Sequence, residues 1–169
     1  VGDIIDCLDI DQCSAVTISG GEPCEQDLKE LVEKLKSAGF YVCLETAGYK
    51  FQQLPFDWIV VSPKLASSSG INNSHHHLKR YAHQAMLDWY GLNYGYVKFK
   101  FVVISDDDID EIKAKFDFVN PQDVYLMAQG RSSQELMFNQ KSVADKAINN
   151  GYNFCTRLQV LLWEDGRAV

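Results

Sequence analysis

The residues best suited to chemistry in this 169-residue chain stand just after short apolar runs. The first group is Ser19-Gly20-Gly21-Glu22-Pro23. Two glycines let a backbone approach a ligand closely and leave N–H groups pointing outward. A carboxylate beside them accepts hydrogen bonds from an ammonium group. The pair suits an amino-acid head group better than a phosphate, which Glu22 would repel. A plain β-turn-α loop with an exposed glutamate has the same composition, and composition alone does not separate the two. Glu45-Thr46, followed by Gly48, closes the second run, and Ser62-Pro63-Lys64 closes the third. A serine and a lysine at the mouth of a sheet can hold a carboxylate or ribose hydroxyls. Further on, Met127-Ala128-Gln129-Gly130-Arg131 offers Gln129 for a nucleobase edge and Arg131 for a bidentate carboxylate contact. Each group taken singly reads equally as a solvated loop end. Taken together, they would converge on one mouth if the preceding strands are parallel.

Metal ligation is not expected from the other polar clusters. His75-His76-His77 and His83 sit at a loop-helix junction. Adjacent histidines at a helix start fan out by about 100° each, so they do not converge on one ion. Asp106-Asp107-Asp108 reads as a charge cluster complementing a helix N-terminus. The five cysteines (Cys7, Cys13, Cys24, Cys43 and Cys155) are odd in number and scattered, with no CxxC pair. That argues for reduced thiols and a cytoplasmic protein, and against a secreted disulfide scaffold or a zinc site.

The elements that must position these groups alternate. Strands are expected at Ala15–Ser19, Tyr41–Leu44, Trp58–Val61, Val97–Ile104, Val124–Met127 and Phe154–Trp163. Helices are expected over about 25–38, 76–90, 106–116 and 133–150. In the first helix, Leu28, Leu31, Val32 and Leu35 share one face; Gly39 and Gly151 sit where helix C-cap glycines belong. Strand, loop and helix repeated in this way predict an α/β fold with a parallel sheet and right-handed crossovers. Ligands of such folds bind at the carboxyl ends of the strands. One domain over 1–169 is expected, with a variable, His-rich insertion at about 65–95.

Composition narrows the function classes. With 46% hydrophobic and 23% charged residues, the chain is an ordinary globular sequence. Its formal net charge of -7 disfavours broad nucleic-acid binding, because phosphates would be repelled over most of the surface. No apolar run reaches the roughly 18 residues of a membrane helix. Neither nucleic acid nor membrane is expected as a partner.

The segment Val16–Pro23, VTISGGEP, resembles the GGEP motif of radical S-adenosylmethionine (radical SAM) enzymes. The segments LETAGY (44–49), DWIVVSPK (57–64), KFKFVV (98–103), VYLMAQG (124–130) and RLQVLLW (157–163) narrow the resemblance to the 7-carboxy-7-deazaguanine synthase (QueE) family. GGEP alone is moderately specific; GGEP, ETxG and SPK in that order are strong. The resemblance covers most of the chain. It implies an incomplete, TIM-like parallel β/α barrel, usually in a homodimer. It also implies a lyase of queuosine and 7-deazapurine biosynthesis. A [4Fe-4S] cluster would cleave SAM, and the resulting radical would act on 6-carboxy-5,6,7,8-tetrahydropterin. Ammonia would leave, giving 7-carboxy-7-deazaguanine, with Mg²⁺ assisting and a flavodoxin- or ferredoxin-type reductant supplying electrons.

Carried onto this chain, the resemblance implies that Gly20, Gly21 and Glu22 hold the methionine moiety of SAM. Ser62, Pro63 and Lys64 match a SAM-contacting segment, as do Glu45 and Thr46. Met127, Ala128, Gln129 and Gly130 match the segment near the adenosine. Ser19 matches a substrate-contacting position. The chain also departs from the family pattern. The cluster cysteines, in a CxxxCxxC-like spacing, belong several dozen residues before GGEP, whereas 18 residues precede Ser19. Cys7 and Cys13 do not match them, so the cluster and Mg²⁺ ligands are expected upstream, with no metal site in this chain. Ala128 stands where many relatives carry proline. Two other readings accompany the first: another small radical SAM enzyme such as a glycyl-radical activase, and a non-catalytic SAM- or nucleotide-binding α/β domain.

Overall fold

The computed structural model describes residues 7–8, 12–68, 82–92 and 96–164. The six strands are β1 (Ala15–Ile18), β2 (Tyr41–Thr46), β3 (Trp58–Val61), β4 (Val97–Val103), β5 (Val124–Ala128) and β6 (Asn153–Cys155). They form one open sheet in the order β1-β2-β3-β4-β5-β6. The pairs β1–β2, β2–β3, β4–β5 and β5–β6 are all parallel. Sequence order in the sheet with helical crossovers is the parallel β/α architecture expected from the alternation. The helices are α1 (Lys29–Ser37), α2 (His83–Leu92), α3 (Asp106–Lys115), α4 (Ser133–Asn150) and α5 (Leu158–Trp163). The chain divides into two compact units: the described residues within Val1–Ser62 and Tyr81–Lys98 form one, and those within Pro63–Arg80 and Phe99–Val169 the other.

In the first unit, α1 buries Val32 and Leu35, with Leu28 beside them, as the helical spacing requires. Strand β2 alternates, burying Val42, Leu44 and Thr46 while Tyr41, Cys43 and Glu45 stand on the other face. Ile59, Val61, Met86 and Trp89 complete the core. The Trp89 indole N–H donates to the Gly48 carbonyl at 3.2 Å, which satisfies the one polar group of a fully buried ring.

In the second unit, Phe99 and Phe101 on β4 pack with Phe116, the nearest ring centroids 4.8 Å apart. Helix α3 opens with a reciprocal capping box between Ser105 and Asp108. Asp108 is buried, and its carboxylate accepts from the Ile104 and Ser105 N–H groups at 2.7 and 3.1 Å. Helix α4 is capped by Ser132 at its start and ends at Gly151, whose φ of 68° is the left-handed cap conformation.

Two expected elements differ. The helix expected from about Glu25 begins at Lys29. Pro23–Glu25 instead forms a single 3-10 turn, and Gln26 is extended at φ -99°, ψ 156°. Pro23 and the Glu22 side chain, which caps the Cys24 N–H at 3.1 Å, close that turn; the helix restarts where Asp27 caps the Lys29 N–H at 3.0 Å. The strand expected over Phe154–Trp163 is the three-residue β6 followed by helix α5. A short apolar run such as LQVLLW carries no period that separates strand from helix. Tertiary contacts decide it: Arg157 donates to the Gly130 carbonyl at 2.6 Å, and Glu164, just past the helix, accepts from Ser133 N–H and Oγ at 2.9 and 2.5 Å. Of the helix expected over 76–90, His83 onward is helical. His75–His77, and most of the His-rich insertion with them, lie outside the described residues.

Candidate active site

In the first unit, β1 delivers Ser19 and the two glycines into the loop that follows. Ser19, Gly20 and Gly21 are exposed. Gly20 and Gly21 have φ of 87° and 55°, a region L side chains rarely adopt, and the space a Cβ would take is open at both. The glycines are therefore required by backbone conformation, and they leave an open approach beside the next residue.

That residue is Glu22, half-buried. Its Oε1 accepts from Thr46 Oγ1 at 2.6 Å and from the Cys24 N–H at 3.1 Å; its Oε2 accepts from the Ala47 N–H at 2.7 Å. The structure thus brings Glu22 together with the end of β2, 24 residues away in sequence. Thr46 is 3% exposed, and its Oγ1 in turn accepts from the Gly48 N–H at 2.9 Å. The carboxylate is held by three donors, and Oε2 keeps lone-pair capacity for one more. A carboxylate so fixed is an ammonium acceptor that needs no rearrangement. Glu45, on the opposite face of β2 from Thr46, is half-buried in register with Val60. Ser62 follows β3 directly; its N–H donates to the Thr46 carbonyl at 2.7 Å.

Cys24 lies against this network. Burial, with the Glu22 carboxylate nearby, pushes its thiol up to about 12. At neutral pH it is therefore a neutral thiol and packs as a small apolar group. Sequence reading missed Tyr49 and Gln52. Tyr49 donates to Glu25 Oε1 at 2.8 Å, and burial together with that bond pushes the phenol up to about 12. Gln52 binds the backbone of residues 24, 26 and 28.

In the second unit, Pro63 is buried and Lys64 exposed. Met127 and Ala128 are buried and Gln129 is exposed. Gly130 is buried against the start of α4, where an added Cβ would lie 2.9 Å from Leu136. The carbonyls of Gln129 and Gly130 are taken by Asn139 and Arg157 at 2.9 and 2.6 Å. Arg131 is exposed, and its N–H donates to Glu135 at 2.7 Å. A polar cleft of about 520 Å³ lies elsewhere in this unit, along α4 around Lys141, Asp145 and Lys146. It contains none of the strand-end residues.

Among the described residues there is no group of three His, Cys, Asp or Glu that could hold a metal ion. The cysteines are separately placed: Cys7 and Cys13 exposed, Cys24 buried, Cys43 and Cys155 intermediate. The residues around Glu22 do fit an amino-acid head group, through the remaining acceptor capacity of Oε2 and the open glycine loop.

The fold defines the class: a mixed α/β chain on an open parallel sheet whose strands follow one another in sequence order. It is similar to the crystal structure of QueE from Escherichia coli, with a TM-score of 0.65 and 22% identity over 92% of this chain and 62% of that one. By sequence, the chain is 32% identical over 168 residues to the 7-carboxy-7-deazaguanine synthase of Halobacterium salinarum, and 30% identical over 163 residues to that of Rhodopirellula baltica. These matches cover 89% and 91% of this chain, and 65% and 63% of those proteins. The chain thus spans a little under two thirds of the length of the curated relatives it matches. The 7-carboxy-7-deazaguanine synthase of Synechocystis is 47% identical over 51 residues. No family model matches the chain. The resemblance to 7-carboxy-7-deazaguanine synthases read from the sequence motifs is borne out.

Proposed function

We propose that the protein acts as a 7-carboxy-7-deazaguanine synthase, a radical SAM lyase that converts 6-carboxy-5,6,7,8-tetrahydropterin to 7-carboxy-7-deazaguanine with loss of ammonia. The observation that carries this reading is the similarity to synthases of that name along about nine-tenths of the chain. When bound, S-adenosylmethionine supplies the hydrogen-abstracting chemistry. The chain's own part is to bind and orient. Glu22, fixed by Thr46, Ala47 and Cys24, receives the methionine ammonium, and the Gly20-Gly21 backbone leaves room for that head group. Glu45, Thr46, Ser62, Pro63 and Lys64 belong to the same binding function. Met127, Ala128, Gln129 and Gly130 contribute toward the adenosine, with the Gln129 side chain exposed for a base edge. Ser19 contacts the pterin. A [4Fe-4S] cluster, Mg²⁺, a flavodoxin- or ferredoxin-type electron donor and a homodimer complete the proposal, with the cluster and Mg²⁺ held by residues other than those described.

The test is turnover by the full-length protein, reconstituted anaerobically with iron and sulfide. It is given the pterin, SAM and a reductant, and the product is read by mass spectrometry. Formation of 7-carboxy-7-deazaguanine supports the proposal. SAM binding without turnover, in protein that carries its cluster, would replace it with the non-catalytic reading.

A further inference from the structure

Between the 3-10 turn at Pro23–Glu25 and the start of α1 at Lys29 the chain is irregular, and one side chain ties this stretch down. Gln52 lies in the irregular segment between β2 and β3. Its Oε1 accepts from the Leu28 N–H at 3.2 Å, and its Nε2 donates to the Cys24 carbonyl at 3.1 Å and to the Gln26 carbonyl at 2.6 Å. Both amide donors and one acceptor position are thereby used on three backbone groups of one short stretch. The chemistry is selective for a primary amide of this length. Asparagine is one methylene shorter. A carboxylate would face two carbonyls without a proton to give them. A lysine would leave the Leu28 N–H unanswered.

On the other side of the same stretch, Glu22 is tied to Thr46 and Ala47, and Glu25 to Tyr49. Residues 22–28 are thus strapped to residues 46–52 at both ends and in the middle. The Glu22 carboxylate is thus held by the end of β2, and the backbone that follows it by Gln52.

We propose that Gln52 is a positioning residue for the Glu22 carboxylate: it holds the 24–28 backbone so that Glu22 presents its remaining acceptor capacity to the ammonium group of the bound ligand. The inference rests on the reading of Glu22 as the ammonium acceptor. Gln52 touches no reacting atom; it acts through the loop.

The experiment measures SAM affinity by calorimetry, and thermal stability alongside, for the full-length protein and the variants Gln52→Glu, Gln52→Ala, Tyr49→Phe and Glu22→Gln. Gln52→Glu is expected to weaken SAM binding about 10-fold at neutral pH, the scale of one or two lost backbone anchors. Protonating the introduced carboxyl restores one donor, so the affinity ratio of wild type to Gln52→Glu should narrow as pH falls through the range in which that carboxyl protonates. A merely structural role predicts no such recovery in affinity. SAM affinity unchanged in both Gln52 variants, or a deficit in Gln52→Glu independent of pH, overturns the proposal. If the Gln52 variants do not fold, Tyr49→Phe probes the same strap and is expected to weaken SAM binding about 3-fold; wild-type affinity there overturns the proposal. Unchanged affinity in Glu22→Gln, with weakened binding in the Gln52 variants, would instead refute the reading of Glu22 and leave Gln52 a positioning residue for another ligand-binding group of the loop.

Discussion

Replacing Thr46 by valine tests how firmly Glu22 is fixed. The two side chains have nearly the same shape, so the change removes a hydroxyl and little else. Thr46 is 3% exposed, donates to Glu22 Oε1 at 2.6 Å and accepts from the Gly48 N–H at 2.9 Å. A hydrogen bond to a charged acceptor contributes about 1.5–3 kcal/mol, and a buried N–H left without an acceptor costs about 1–3 kcal/mol. Glu22 keeps its bonds to the Ala47 and Cys24 N–H groups and is only half-buried, so water can replace part of the loss. The lower part of each range then applies, giving a loss of about 3 kcal/mol. For a chain of this size that corresponds to roughly 6–12 °C in Tm. Thr46→Ser keeps the hydroxyl and gives up one buried methyl, which costs about 1 kcal/mol. Denaturant unfolding of the three proteins decides the matter. Thr46→Val within about 0.5 kcal/mol of wild type, or Thr46→Ser losing as much as Thr46→Val, would refute the argument that this hydroxyl anchors the carboxylate.

Three further expectations concern Gly48, Asp57 and the residues proposed to hold SAM. Gly48→Ala should cost about 2–5 kcal/mol, since φ is 84° and the new Cβ would lie 2.5 Å from Val61 and 3.0 Å from Met86; Gly20→Ala, with open space around it, should cost only the roughly 1–2 kcal/mol of its backbone conformation. Equal losses in a denaturation series would contradict this. Burial opposes ionisation of Asp57, but the Lys36 ammonium at 2.6 Å and the Val42 N–H at 2.7 Å outweigh it and hold the carboxyl below its ordinary 3.8. The stabilisation is therefore present above 3.8 and lost as pH falls through the depressed value, so Asp57→Asn should flatten the acid limb of the stability profile; an unchanged limb would contradict the pairing. Finally, Glu22→Ala and Lys64→Ala in the full-length protein should each weaken SAM binding, Glu22→Ala by roughly 10–100-fold, with the thermal transition of Lys64→Ala retained. Calorimetry reads the first effect, and loss of the Lys64→Ala transition would assign that residue a structural role.

The parts of the fold that the sequence made legible are those governed by local periodicity. Trp58–Val61 is a continuous apolar run and α4 lies between a serine cap and a left-handed glycine, and both have the bounds their sequence implies. The order of strands and helices sufficed for a parallel sheet. The start of α1 is not legible, because the helical spacing of Leu28, Leu31, Val32 and Leu35 does not show where the chain stops being helical upstream. That boundary is set by the Pro23 turn and the extended Gln26. The helical state of Leu158–Trp163 is not legible either, because it is decided by Arg157 and Glu164 reaching to Gly130 and Ser133, contacts 27 and 31 residues apart. In the candidate site, Glu22 and Thr46 were both singled out, but not the bond between them. Gln52 and Tyr49 carry no local signal at all, because their partners lie 24 to 28 residues away.

The proposed function makes this chain part of a working 7-carboxy-7-deazaguanine synthase in which Glu22 helps to hold SAM. It is tested most directly by anaerobic turnover of the full-length protein beside its Glu22→Ala variant, with 7-carboxy-7-deazaguanine measured by mass spectrometry. The account predicts product from the wild type and a rate at least about 10-fold lower from Glu22→Ala at limiting SAM. No product from wild-type protein that carries its cluster and binds SAM would contradict it.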